Sequence, residues 1–160
     1  MSLPTEQANN PSDIDDESID IVQLIEMLPH RYPFLLIDKI IQYEPGNYAI
    51  GLKRLSYNEP YFVGSFPAAP MMPGAMIVET MAQTAAALVM KTLGGYAEGN
   101  LTYFTSIEKT RFLKPIVPGD TIHIYAKLVR SKRMIWKLKA HVKVDDEIHA
   151  YSNFTAKVLA

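Results

Sequence analysis

PAAPMMPGAMIVETMAQTAAA, residues 67–87, decides the fold. Pro73-Gly74 opens an almost wholly apolar helix, expected over residues 73–93, with Glu79 in its second turn. Proline suits the first helical turn, and Gly94-Gly95 suits the exit. A helix apolar on every side is buried on every side. A lone carboxylate on it costs free energy unless something holds or uses it, so Glu79 is the first candidate for chemistry. At about 20 residues the helix could just span a bilayer. Thr80, Gln83, Thr84 and Lys91 within it argue against a membrane span, so burial against a sheet is expected.

The flanks supply that sheet. Ser18 is placed to cap a short helix over 19–27, with Ile21, Leu24, Ile25 and Leu28 at helical spacing. Residues 34–43 and 48–57 read as strands joined by the Glu44-Pro-Gly-Asn turn. Residues 58–72 carry several prolines and read as an ordered loop. After the long helix come strands over 101–112, 120–129, 134–144 and 148–158. The third alternates cleanly, with Met134, Trp136, Leu138, Ala140, Val142 and Val144 on one face. Successive strands beside one apolar helix give an α+β protein, an antiparallel sheet wrapped around one long central helix.

At 160 residues with 48% hydrophobic content the chain is sized for one domain. That domain is expected over 18–160, after a disordered acidic tail over 1–17. With no cysteine there is no disulfide framework and no thiolate chemistry. The start of the chain lacks the basic and apolar regions of a secretory leader, so the cytoplasm is expected. Residues 1–18 hold five acids and no base, leaving the remainder with 16 bases against 12 acids, a net +4. Lys127, Arg130, Lys132, Arg133, Lys137, Lys139 and Lys143 follow one another without an acid, which suggests an acidic partner or a solvated strand face. Nucleic acid is not expected, because the body's +4 is modest and exposed aromatics are not seen among the bases. No nucleotide loop or metal-ligand spacing is present, so no cofactor and no metal are expected.

Several long motifs now stand in order: Leu28-Pro-His-Arg-Tyr-Pro-Phe-Leu-Leu-Ile-Asp38, Asn58-Glu-Pro-Tyr-Phe62, Pro70-Met-Met-Pro-Gly74, Glu79-Thr-Met-Ala-Gln83, Arg111-Phe112 and Pro118-Gly-Asp120. From about residue 21 to its end the chain resembles the FabZ family, the (3R)-hydroxyacyl-[acyl-carrier-protein] dehydratases of fatty acid biosynthesis, which have the hotdog fold. The resemblance implies elimination of water from a 3-hydroxyacyl thioester to give the trans-2-enoyl product. In the family a histidine of a Gly-His-Phe-Pro motif takes the C2 proton. A glutamate fourteen residues on, from the other subunit of a dimer, helps the C3 hydroxyl leave. The glycine amide of Met-Pro-Gly binds the thioester oxygen.

On this chain the glutamate is Glu79, the glycine is Gly74 and the histidine position is Ser65, fourteen residues before Glu79. A serine hydroxyl is no base without a neighbour that activates it. His30 belongs to a motif that the family shares while keeping its own catalytic histidine, and His123, His141 and His149 lie on late strands, so none is expected to substitute. Dehydration is therefore expected to be slow or absent. Burial is expected to keep Glu79 protonated, as the acid; internal pairing, for instance with Gln83, is the other reading. Phe66, Ile77, Met81, Tyr103, Phe104 and Phe112, with Pro73 and Gln83, are candidates to line an acyl site, although packing in the core accounts for most such residues. Lys109, Arg111, Lys114, Arg130, Lys132 and Arg133 are candidates to receive acyl carrier protein or its phosphopantetheine. A homodimer is implied, as is a hexamer built as a trimer of dimers. The competing readings are a non-catalytic acyl-thioester-binding protein, a partner subunit of an active paralogue, or a thioesterase on the same fold.

Overall fold

The computed structural model describes residues 18–64, 66–94 and 101–159; the expected tail and Ser65 lie outside them. Helix α1 (Ile21–Met27) is followed by β1 (Lys39–Glu44), β2 (Tyr48–Arg54), the single-turn α2 (Pro60–Val63) and α3 (Gly74–Thr92). The strands β3 (Leu101–Phe112), β4 (Thr121–Lys132), β5 (Ile135–Val144) and β6 (Glu147–Leu159) complete the order. They form one six-stranded antiparallel sheet, β1-β2-β4-β5-β6-β3. Helix α3 touches all six strands. A straight rod can meet six strands only if the sheet curls round it, and this is the hotdog fold.

Every residue from 80 to 90 is buried, so three turns of α3 are covered on all sides. Its buried hydroxyls are satisfied within the helix: Thr80 Oγ1 donates to Ile77 O at 2.7 Å and Thr84 Oγ1 to Thr80 O at 2.9 Å. The alternation read on β5 holds, with Trp136, Leu138, Ala140, Val142 and Val144 all buried against the helix. Met134 falls outside it, 45% exposed at the β4–β5 turn, where Arg133 has φ 56°.

Five local readings change. Asp20, not Ser18, caps α1: its carboxylate accepts from Gln23 N at 2.9 Å while Gln23 Oε1 accepts from Asp20 N, a closed capping box. Ile19 bridges to Ile40 instead of entering the helix. Residues 34–37 are not strand, because their backbone is spent elsewhere: Phe34 N bonds Arg31 O, and Leu36 N bonds the Gln83 side chain. Residues 55–57 leave β2 because Leu55 N turns to Asp120 O. β4 runs on past residue 129 through a bulge at 128–130, which turns Val129 outward.

Candidate active site

Helix α3 begins at Gly74 without a side-chain cap. Met76 N and Ile77 N both donate to Pro73 O, while the Gly74 and Ala75 amides have no acceptor among the described residues. Free amides at a helix start offer donors and a partial positive charge to an incoming oxygen. The Phe112 ring lies against this start: a Cβ on Gly74 would sit 2.8 Å from Phe112 Cζ. Glycine is needed for that approach.

Glu79 lies five residues along, about 7.5 Å down the axis. Its side chain is 37% exposed and that of His30 is 30% exposed. His30 Nε2 lies 3.1 Å from Glu79 Oε1, and Gln83 Nε2 donates to the same oxygen at 3.0 Å. Glu79 Oε2 has no donor among the described residues. Burial pushes the Glu79 pKa up, but the hydrogen bonds from His30 and Gln83, with any positive charge on His30, outweigh it and hold the carboxyl below its ordinary value. The expectation of a carboxyl kept protonated by burial is thereby corrected: burial is incomplete and two donors favour the anion.

Gln83 is fully buried and uses its whole amide. It donates to Phe34 O at 2.6 Å and to Glu79, and accepts from Leu36 N at 2.9 Å. It is a strut between α3 and the 34–36 segment, not the expected wall of an acyl site. Arg31 Nη1 donates to Leu28 O at 2.8 Å and His30 O at 2.7 Å, fixing the turn that carries His30. Sequence reasoning set His30 aside; no local signal ties it to a carboxylate 49 positions on, and only the tertiary fold does. The Gln83–Glu79 contact, at helical i, i+4 spacing, was legible.

The segment bearing Ser65 is anchored on both sides. Before it, Lys53 Nζ bonds Glu59 Oε1 at 2.8 Å and Asp38 Oδ1 at 3.2 Å, while Asp38 Oδ2 accepts from Arg54 N at 2.8 Å. Lys53 is only 8% exposed. Burial works against its charge, but the two carboxylates outweigh it and raise its pKa. Phe62 is buried, and the Tyr61 hydroxyl, whose pKa burial and then Glu59 and Asp38 push up, has no partner among the described residues. After it, Met72 N bonds Ile116 O at 2.8 Å. Sequence reasoning missed this clamp, because Asp38, Lys53 and Glu59 lie on separate elements.

The other candidates divide. Ile77 and Met81 belong to the core, and Phe104 stacks edge-on with Phe154 at 5.3 Å. Phe66 is 61% exposed with φ 48°, and Tyr103 and Phe112 are partly exposed. Pro73 is half-buried at the start of α3. Arg130, Lys132 and Arg133 line a cavity of about 680 Å³ together with Lys137, Lys157, Met134 and Ile135. Lys109, Arg111 and Lys114 sit at the opposite end of the sheet, and Lys114 is paired with Glu147. Within one chain the six expected cations are two groups, not one surface.

A family model described as a FabA-like domain matches residues 28–152. The 3-hydroxyacyl-[acyl-carrier-protein] dehydratase FabZ of Paramagnetospirillum magneticum is 46% identical over 160 residues, covering 99% of this chain and 98% of that protein. This chain belongs to the FabZ dehydratase family. The enzyme of the same name from Gluconobacter oxydans is 48% identical over 143 residues, covering 89% of this chain and 85% of its own length. Among solved structures, the dehydratase heterocomplex ApeI:P from Xenorhabdus doucetiae superposes with a TM-score of 0.73 at 14% identity, covering 86% of this chain and 91% of that one. At that identity the likeness speaks for the fold. Among the described residues no helix is long and apolar enough to cross a membrane.

Proposed function

We propose that this chain binds a (3R)-3-hydroxyacyl thioester of acyl carrier protein and dehydrates it slowly, for want of a base at Ser65. The carrying observation is Glu79: a carboxyl on the central helix, gripped on one oxygen and without a donor on the other among the described residues, five residues on from helix-start amides that have no acceptor among them. The amides take the thioester oxygen as enolate charge develops. The C2–H electrons form the C2=C3 bond, and the C3–O pair leaves with oxygen, which takes a proton from the protonated fraction of Glu79. With serine where the family keeps an imidazole, solvent water takes the C2 proton, and that weak base makes the step slow.

A dimer completes the site in this reading. β3 is an edge strand whose outer side carries exposed Tyr103 and Ile107, and such an edge invites a second copy. Antiparallel pairing of two β3 strands about a twofold axis brings the 109–114 end of one chain beside the 130–137 cations of the other. Tyr103 pairs with Lys157 and Lys157 with Ile135, so the cationic cavity adjoins that seam. The acidic carrier and its phosphopantetheine would dock there, in the cytoplasm, on a homodimer or a trimer of dimers.

Turnover of a 3-hydroxyacyl thioester by wild type and Ser65→His tests the reading. The revertant is expected to gain about 10²–10⁴-fold. An unchanged rate overturns the missing-base account. One alternative is a non-catalytic thioester-binding protein, favoured by the engagement of Glu79 Oε1 with His30 and Gln83. Saturable binding without turnover in both proteins selects that alternative.

A further inference from the structure

We infer that His30 is a positioning residue, an Nε2–H donor that reserves Glu79 Oε1 and leaves Oε2 as the oxygen that exchanges protons with substrate. Two donors, His30 Nε2 at 3.1 Å and Gln83 Nε2 at 3.0 Å, converge on Oε1, and none of the described residues donates to Oε2. A proton on Oε1 would displace both donors; a proton on Oε2 displaces neither. The two oxygens of an unrestrained carboxyl are equivalent, and here they are not.

Neither donor is free to turn round. Flipping the Gln83 amide would set its oxygen against Phe34 O and Glu79 Oε1, and its nitrogen against Leu36 N. His30 Nδ1 is buried without a partner among the described residues. A proton there would be an unpaired buried N–H, costly to keep. The lone pair belongs on Nδ1 and the proton on Nε2, facing Glu79. Arg31 is the other charged group at this turn, and its guanidinium is tied to the carbonyls of Leu28 and His30. Neither His30 nor Glu79 has another ion partner among the described residues.

The donor arrangement stands on geometry alone; its use in catalysis rests on the dehydratase reading above. The test is nuclear magnetic resonance titration of the full chain, with labelled histidine rings and glutamate carboxyls, for wild type, His30→Gln and His30→Leu. Glutamine can place an amide N–H where the imidazole Nε2–H lies, without a titrating proton. The neutral His30 ring is expected to carry its proton on Nε2. Glu79 is expected to titrate higher in His30→Leu and close to wild type in His30→Gln. In turnover, His30→Leu lowers kcat with little change in KM, and His30→Gln recovers part of the loss. An Nδ1–H tautomer overturns the inference, as does a Gln variant that titrates like the Leu variant. The titration reads no turnover, so an inert wild type and revertant would count against the proposed function and leave this arm to decide on its own.

Discussion

Replacing Gly51 by alanine sets a methyl group against the central helix. The added Cβ would lie 2.5 Å from Thr84 Oγ1 and 3.2 Å from Thr84 Cγ2. The first distance is roughly 0.7–1 Å short of ordinary contact. Thr84 cannot easily yield: it is fully buried, β-branched, and its hydroxyl is bonded to Thr80 O. The strand and the helix must part instead, at an overpacking cost of about 1–3 kcal/mol. Relief of glycine's backbone entropy offsets about 0.5–1 kcal/mol of that. The middle of these ranges is a net cost of about 1 kcal/mol, a fall in Tm of about 2–4 °C for a chain of this size. Urea denaturation followed by the single tryptophan, Trp136, buried in the sheet, reads the loss at fixed protein concentration. Thr84→Ala removes both offending atoms, so the double variant should be more stable than the sum of the singles by about 1–2 kcal/mol. Strict additivity, or a Gly51→Ala cost below about 0.5 kcal/mol, would refute the close approach of β2 to α3.

Three further outcomes are expected. Lys53→Met leaves Asp38 and Glu59 facing each other and should cost about 2–3 kcal/mol, discounted for the exposure of Asp38; calorimetry of wild type and variant checks it. Because folding raises the Lys53 pKa, its contribution is whole below the unfolded value and is lost as pH rises through the folded one, so the stability gap should narrow only in strong alkali. Gly74→Ala requires the Phe112 ring to swing away from a contact of 2.8 Å; stability should change by less than about 1 kcal/mol, while kcat falls as the methyl crowds the free amides. Charge reversal at Lys132 and Arg133, which line the cationic cavity, should raise the KM for carrier-linked substrate about tenfold and leave that for a small thioester unchanged. Equal effects on both substrates would remove the cavity from carrier docking.

The period of two over 135–144, the apolar helix after Pro73-Gly74 and the turn residues determined a sheet around a rod, because those signals repeat within a few residues and burial enforces them. Ordered motifs determined the family, and Glu79 announced itself as a carboxylate with nowhere polar to go. The tertiary structure alone decided what Glu79 touches. His30 and Gln83 meet on one oxygen only after the 28–38 segment folds over α3, and Lys53 finds Asp38 and Glu59 only when β1, β2 and the turn before α2 converge. The protonation state followed the same division. Sequence supplies the burial that pushes a carboxyl up, whereas the donors that pull it down come from positions remote along the chain. A hydrogen bond is a matter of a few tenths of an ångström, and no pattern of residue types carries that precision across such separations.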